Sequence, residues 1–384
     1  MSEVFHVKEA RKMDSIKQIE VIYAHHLVGR LALTKEGLCA FEYSAEWLNT
    51  GFSISPFELP LRSGVFIAKP SPFSGGFGVF DDCLPDGWGL LILDRYLQQN
   101  GINPHSLSLL DRMALVGSAG RGALEFRPDK SVESRHDYSD FEKLALEAEH
   151  ILDSEDYLGE GIAEFQHRGG SPGGARPKIF TRFEGKEWLV KFRAKRDPKH
   201  IGVDEYHYSL LAKQCGIEMP ETRLFEGKYF GVERFDRTVK GKVHVVSIAG
   251  LIRADYRLPS IDYTHIFQVC AALTHNVVEI WKVYRLMVFN YLIENKDDHA
   301  KNFAFIYSDG EWHFAPAYDL LPSDGINGFR TTSINDKIEP NDNDVIAVAT
   351  KAGLDKNDAL KVLEEMRQII TETYASPTSD MTPI

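Results

Sequence analysis

Residues 297–302 read Asp-Asp-His-Ala-Lys-Asn, and a Tyr-Asp pair follows at 318–319. The stretch before them, VVEIWKVYRLMVFNYLIENKDD, carries apolar residues at Val277, Ile280, Trp281, Tyr284, Met287, Val288 and Tyr291, a helical period. A long helix therefore delivers the chain to a polar loop at 295–302. After it, FAFIY, an Asp309-Gly310 turn and WHFAPAYDLL read as a β-hairpin leading to Asp319. One reading of these residues is bland: a polar loop ends a helix, and Asp319 caps another. The second reading is chemical and rests on spacing.

Phosphoryl transfer needs little covalent chemistry from a protein. It needs positioning, a carboxylate that takes or orients the hydroxyl proton, and oxygen ligands for Mg²⁺. Protein kinases supply these as D-x-x-x-x-N followed by a second metal-binding Asp. Asp297 to Asn302 has that spacing, and Asp298 is one residue short, so the catalytic role falls to Asp297. Asn302 and Asp319 are then the metal ligands, few in number, as Mg²⁺ prefers when phosphate and water complete its shell. Order along the chain favours this reading over the bland one. A glycine-rich loop comes first, then a strand lysine, then the Asp…Asn pair, then the last Asp.

The glycine-rich loop is GGSPGGARPK at 169–178. Without Cβ atoms, Gly173 and Gly174 let backbone N–H groups approach phosphate oxygens, and Arg176 or Lys178 adds charge. The loop does not match GxxxxGK[ST], so a Walker-type site is not indicated. It precedes a hairpin turning at Glu184-Gly185-Lys186 and the strand EWLVKF, where Lys191 would reach the phosphates. Lys301 completes the candidate ATP-binding set. A helix with Asp204 as N-cap follows, ending on Gly216; Glu205 on it could pair with Lys191, but its first-turn place favours a simple dipole partner. YFGVERFDR (229–237) is a candidate adenine hinge in which Arg234 and Asp236 are structural. The glycine clusters at 73–80 and 117–122 read as turns. No HExxH or similar pair occurs among fourteen histidines, and His299 reads as a structural hydrogen-bonder.

The chain has 384 residues and a net charge of −12, from 44 Lys and Arg against 56 Asp and Glu. That balance argues against a protein that grips DNA by itself. Cys39, Cys83, Cys215 and Cys270 are far apart and show no CxxC, which points to reduced buried thiols and against zinc or disulfides. Apolar runs are broken well short of a membrane span, and the first residues lack the apolar core of a secretory signal, so a cytoplasmic protein is expected. The fold expected is α+β and two-lobed. A β-rich subdomain occupies 15–130, a β-rich nucleotide-binding lobe 137–237 and a mostly helical catalytic lobe 240–375. A disordered tail covers 376–384.

Taken together, these motifs resemble the HipA-type kinases over almost the whole chain. The matching stretches are VFDDCLPDGWGLLILDRYL (79–97), SPGGARPK (171–178), WLVKF (188–192), DEYHYSLLAK (204–213), VERFDR (232–237), DDHAKNF (297–303) and PAYDLLPS (316–323). The resemblance implies a protein-kinase-like fold that uses ATP and Mg²⁺, with an extra N-terminal subdomain. It implies that Lys191 contacts the phosphates, that Glu233 and Phe235 bind adenine through their backbone, and that Ser171 is autophosphorylated. A phosphate there would add roughly −1.5 to −2 charges beside the phosphate site. The loop departs from the family at Pro172 and Arg176. The resemblance further implies toxin action within a toxin–antitoxin pair. Its partner is a small helix-turn-helix antitoxin, through which DNA is reached only indirectly, and its substrate a protein such as an aminoacyl-tRNA synthetase. A small-molecule phosphotransferase and a catalytically silent subunit of a repressor complex are the alternatives.

Overall fold

The computed structural model describes residues 15–133, 140–154, 157–169 and 173–375. Ser171 and the tail at 376–384 lie outside the described residues. The chain forms two compact units. One holds residues up to 51, 63–68 and 83–197; the other holds 52–62, 69–82 and 198 onward. This partition follows contact density and cuts across the 15–130 and 137–237 segments read from the sequence.

The first unit opens with an antiparallel five-stranded sheet. Its order is Phe66–Ile67, Cys39–Tyr43, His26–Leu33, Gln18–Tyr23 and Leu124–Arg127. Alternation in QIEVIY buries Ile19 and Val21 on one face. Ala24 and His25 both take positive φ, the two-residue turn that matches strand twist. Helix Leu109–Val116 covers the sheet with Leu110, Met113 and Val116, and Ser108 with Asp111 forms its capping box. Helices Gly87–Gln99 and Gly161–Gly169 pack together, with Trp88 edge-on to Phe165 at 5.1 Å. The second of these runs to Gly169, the first residue of the stretch that reads as a glycine-rich loop, with Ile162 and Phe165 buried. Beside it runs the hairpin Lys178–Phe183 and Lys186–Lys191, turning at Glu184 and Gly185.

The second unit is mostly helical around small sheets. Helix Ile201–Gln214 packs on the hairpin Thr222–Phe225 and Tyr229–Glu233. It begins three residues earlier than the expected cap at Asp204, with His200 in the cap position. Glu205 consequently falls past the first turn and is buried, 3% exposed, so its reading as a first-turn dipole partner is corrected. A three-stranded sheet of His244–Ser247, Ala304–Ser308 and Glu311–Phe314 carries the site. Helices Tyr263–Thr274 and Val277–Leu292 pack against its Glu311–Phe314 strand, and helices Asp342–Lys351 and Lys356–Ala375 pack on Val277–Leu292. Two N-terminal segments are built into this unit. Phe52 stacks on Tyr307 at 3.8 Å, the His244 ring bonds Ile54 O at 2.8 Å, and Asp82 accepts from Ser247. All four cysteines are free and buried. Among the described residues, no helix is long and apolar enough to cross a membrane.

Candidate active site

Helix Val277–Leu292 starts at Asn276, whose side chain caps Val278 N, and ends against a buried polar network. Asn295, 2% exposed, is its hub. Its Nδ2 donates to Asn290 Oδ1 at 3.0 Å and to Asp319 O at 3.4 Å, and its Oδ1 accepts from Asp297 N at 3.2 Å. Arg330 donates to the carbonyls of Asn290, Tyr291 and Asn295, satisfying groups left open where the helix ends. The loop at 295–302 is thus held by the side chains of Asn290, on the helix, and Arg330, from a segment distant in sequence.

The adjacent aspartates part company in this frame. Asp297 is exposed, whereas Asp298 is 1% exposed. Tyr263 Oη donates to Asp298 Oδ2 at 2.7 Å, and Asn290 Nδ2 donates to the same hydroxyl at 3.0 Å. Burial pushes the Asp298 carboxyl up to about 7, against the opposing pull of Arg330. Asp298 therefore serves the interior and Asp297 faces outward.

Asn302 Nδ2 donates to Asp297 O at 2.9 Å. A carbonyl can only accept, so this bond fixes the amide's orientation and turns Oδ1 to the other side. His299 Nδ1 accepts from Lys301 N at 3.2 Å, the structural role expected of it. Tyr318 Oη donates to Lys301 O at 2.7 Å, and its ring stacks near Phe235 at 6.0 Å. Both rings rest on Val245, Ala304 and Ala315. Asp319 follows immediately with φ of +59°, a left-handed conformation that Asp tolerates better than most residues. Glu233 ends its strand, with its N–H on Glu221 O at 2.8 Å. Arg234 forks onto Asp236 at 3.0 and 2.9 Å, confirming both as structural.

The structure therefore brings Asp297, Lys301, Asn302, Asp319, Glu233 and Phe235 into one unit. Gly173, Gly174, Lys178 and Lys191 belong to the other. There Lys178 and Lys191 are direct cross-strand partners, 5% and 9% exposed, so both project from the same face of the hairpin. Lys178 Nζ donates to Gly173 O, and Gly174 N donates to Asp86 Oδ1. Trp88 N donates to Gly174 O at 2.9 Å, clamping the loop to the start of helix Gly87–Gln99.

Among the described residues, no group of three or more His, Cys, Asp and Glu side chains gathers as a metal cage. A cation here would be held by few protein ligands, and the oxygens of Asn302 and Asp319 are hard donors of the kind Mg²⁺ takes. Sequence reading missed Asn295, Tyr263 and Arg330. Their roles depend on partners distant in sequence, and no local motif marks them.

Residues 170–374 match the HipA-like C-terminal domain, and residues 19–127 match the HipA N-terminal domain. The serine/threonine-protein kinase toxin HipA of Shewanella oneidensis is 23% identical over 351 aligned residues, covering 79% of this chain and 75% of that protein. The Y4dM protein of Sinorhizobium fredii, named as a kinase, is 29% identical over 172 residues; the match covers 39% of this chain and 41% of that relative's length. Among solved structures, a chain from the Shewanella oneidensis MR-1 complex of HipA, HipB and operator DNA superposes with a TM-score of 0.67 at 21% identity. The superposition covers 92% of this chain and 90% of that one. The fold is accordingly α+β and kinase-like, and the chain belongs to the HipA family of serine/threonine-protein kinases, carrying both of that family's domains.

Proposed function

We propose that this protein transfers the γ-phosphoryl group of ATP to a serine or threonine of a protein, with Asp297 as the catalytic carboxylate. The observation that carries this is the division of labour at 297–298: Asp298 is consumed by the interior, while Asp297 is exposed on a loop braced by Asn295. Asp297 would accept the hydroxyl proton as the bond to phosphorus forms. Asn302, oriented by its bond to Asp297 O, and Asp319, tethered by Asn295, would hold Mg²⁺ through oxygen. When bound, that ion neutralises charge on the phosphates.

The phosphate end is assigned to Gly173, Gly174, Lys178, Lys191 and Lys301. Lys178 and Lys191 stand side by side on one hairpin face, next to the loop that carries Gly173 and Gly174, which supports this reading. Glu233 and Phe235 are assigned to adenine, supported by the Phe235–Tyr318 stack on an apolar floor. Ser171 is assigned as the autophosphorylation site.

The Shewanella relative is seen with HipB and operator DNA. By extension, the partner proposed here is a small helix-turn-helix antitoxin, with toxin activity held in check by it. The acidic balance of −12 fits a kinase that meets DNA only through a basic companion. A translation component such as an aminoacyl-tRNA synthetase is the substrate class to test first, on the strength of the family resemblance.

The deciding experiment measures ATP-dependent phosphate incorporation with Mg²⁺, beside Asp297→Asn and Asp319→Asn. Incorporation that disappears in both variants is expected. Equal incorporation in Asp297→Asn would overturn the assignment.

A further inference from the structure

We propose that Asp81 is a positioning residue for phosphoryl transfer, holding the Lys301 amino group in the orientation that meets the transferred phosphate. The proposal rests on the kinase reading above and adds to it a residue from the N-terminal half of the chain.

Asp81 ends a one-turn helix, Gly78–Asp81, that belongs to the same compact unit as the 295–302 loop. The turn is anchored at both ends. Gly78 N donates to Glu58 Oε2 at 2.8 Å, and Glu58 is itself gripped by Arg253. Asp82 accepts from Ser247 N at 2.6 Å and from Ser247 Oγ at 2.7 Å. A Cβ on Gly78 would lie 2.5 Å from Gly250 O, so the two backbones touch and only glycine fits. Held this way, the turn sets the Asp81 carboxylate 3.3 Å from Lys301 Nζ. On another side the same ammonium lies over the Tyr256 ring, 4.1 Å from its centroid. Tyr318 fixes the Lys301 carbonyl at 2.7 Å, so both ends of the residue are restrained.

The bland account makes Asp81–Lys301 a structural ion pair. Two facts weigh against it. Partly exposed ion pairs add little stability, and the turn is already secured by Glu58 and Asp82. What the pair does change is direction. Lysine is a point charge on a flexible stem, and a carboxylate beside an aromatic face confines it to one arrangement. Electrostatic stabilisation of a developing phosphate charge depends on such prior orientation.

The test measures phosphate incorporation and thermal stability for wild type, Asp81→Ala, Asp81→Glu, Lys301→Met and the Asp81→Ala/Lys301→Met double variant. Asp81→Ala is expected to lower kcat about tenfold with KM for ATP nearly unchanged, and Asp81→Glu to recover part of the loss. Its Tm stays within about 2 °C of wild type. In the Lys301→Met background, Asp81→Ala has no further effect, because the group it positions is gone. An unchanged kcat, or an equal loss in both backgrounds with a lowered Tm, overturns the proposal. Wild type that incorporates no phosphate overturns the kinase reading along with it, whereas active wild type with unaffected Asp81→Ala overturns this inference alone.

Discussion

Asn302 donates its side-chain amide hydrogen to the main-chain oxygen of Asp297 at 2.9 Å, so the two ends of the hexapeptide 297–302 are closed on each other. The bond explains why spacing matters here. One residue more or fewer would leave the amide pointing elsewhere, and its oxygen would lose its fixed direction. Asp297→Asn is expected to lower phosphoryl transfer by at least about a thousandfold while leaving Tm unchanged, because an exposed carboxylate contributes to chemistry rather than to packing. Asn302→Ala should act on the same step and also raise the Mg²⁺ concentration needed for half-maximal activity. Initial rates across a Mg²⁺ titration check this, and an Asn302→Ala curve that merely scales down would count against metal ligation.

Asn295 joins the helix end, the Asp297 backbone and the Asp319 backbone through one buried amide. Removing it leaves Asn290 Oδ1 and Asp297 N without those bonds in the interior, at a cost of about 2 kcal/mol. Asn295→Ala should therefore lower the urea midpoint. It should also reduce kcat by roughly tenfold to a hundredfold, since small misplacements of catalytic groups are costly. Loss of stability without loss of rate in the surviving folded enzyme would show that the hub supports only the fold.

Lys178 and Lys191 stand opposite each other on the hairpin, both buried. Their like charges favour any anion that binds beside them. Inorganic triphosphate at about a hundred times its Kd should stabilise the protein by about 2.7 kcal/mol, readable as a rise in Tm. Lys178→Met and Lys191→Met should each abolish most of that rise. A rise of equal size in both variants would place the anion elsewhere. This measurement needs no turnover and so is independent of substrate identity.

Much of this arrangement is legible in the sequence because the signals are local. The 3.6-residue period before Asn295, the Glu184-Gly185 and Asp309-Gly310 turns, and the hexapeptide spacing can each be read within a short window. What escapes is set by closure of the chain. Helix Ile201–Gln214 begins before the residue that looks like its cap, because Asp204 is buried in the helix rather than exposed ahead of it. The glycine cluster at 73–80 reads as a turn, yet segments 52–62 and 69–82 are built into the C-terminal unit through His244, Ser247 and Arg253, partners 165 or more residues away. Asn295 looks like any polar residue after a helix until Asp319 is brought to it. Side chains whose partners come from distant elements leave no periodic or compositional trace.

Asp298 offers a test of the interior that is separate from catalysis. Its carboxyl is raised from an ordinary value of 3.8 to about 7, first by burial, with Arg330 pulling the other way. Between those two values the native state binds this proton and the unfolded chain does not. The group's contribution to stability is therefore full below about pH 4 and is lost as pH rises through about 7. Asp298→Asn keeps an acceptor for Tyr263 and has no proton to lose, so it should flatten that decline. Relative to wild type, the variant should gain stability from pH 5 to pH 8, on the order of a few kcal/mol at most. Asp297→Asn, altering an exposed carboxylate one residue away, should leave the wild-type slope intact. Urea midpoints at the two pH values decide it: parallel profiles for wild type and Asp298→Asn would mean that Asp298 stays ionised in the fold, held by Arg330 rather than neutralised by burial.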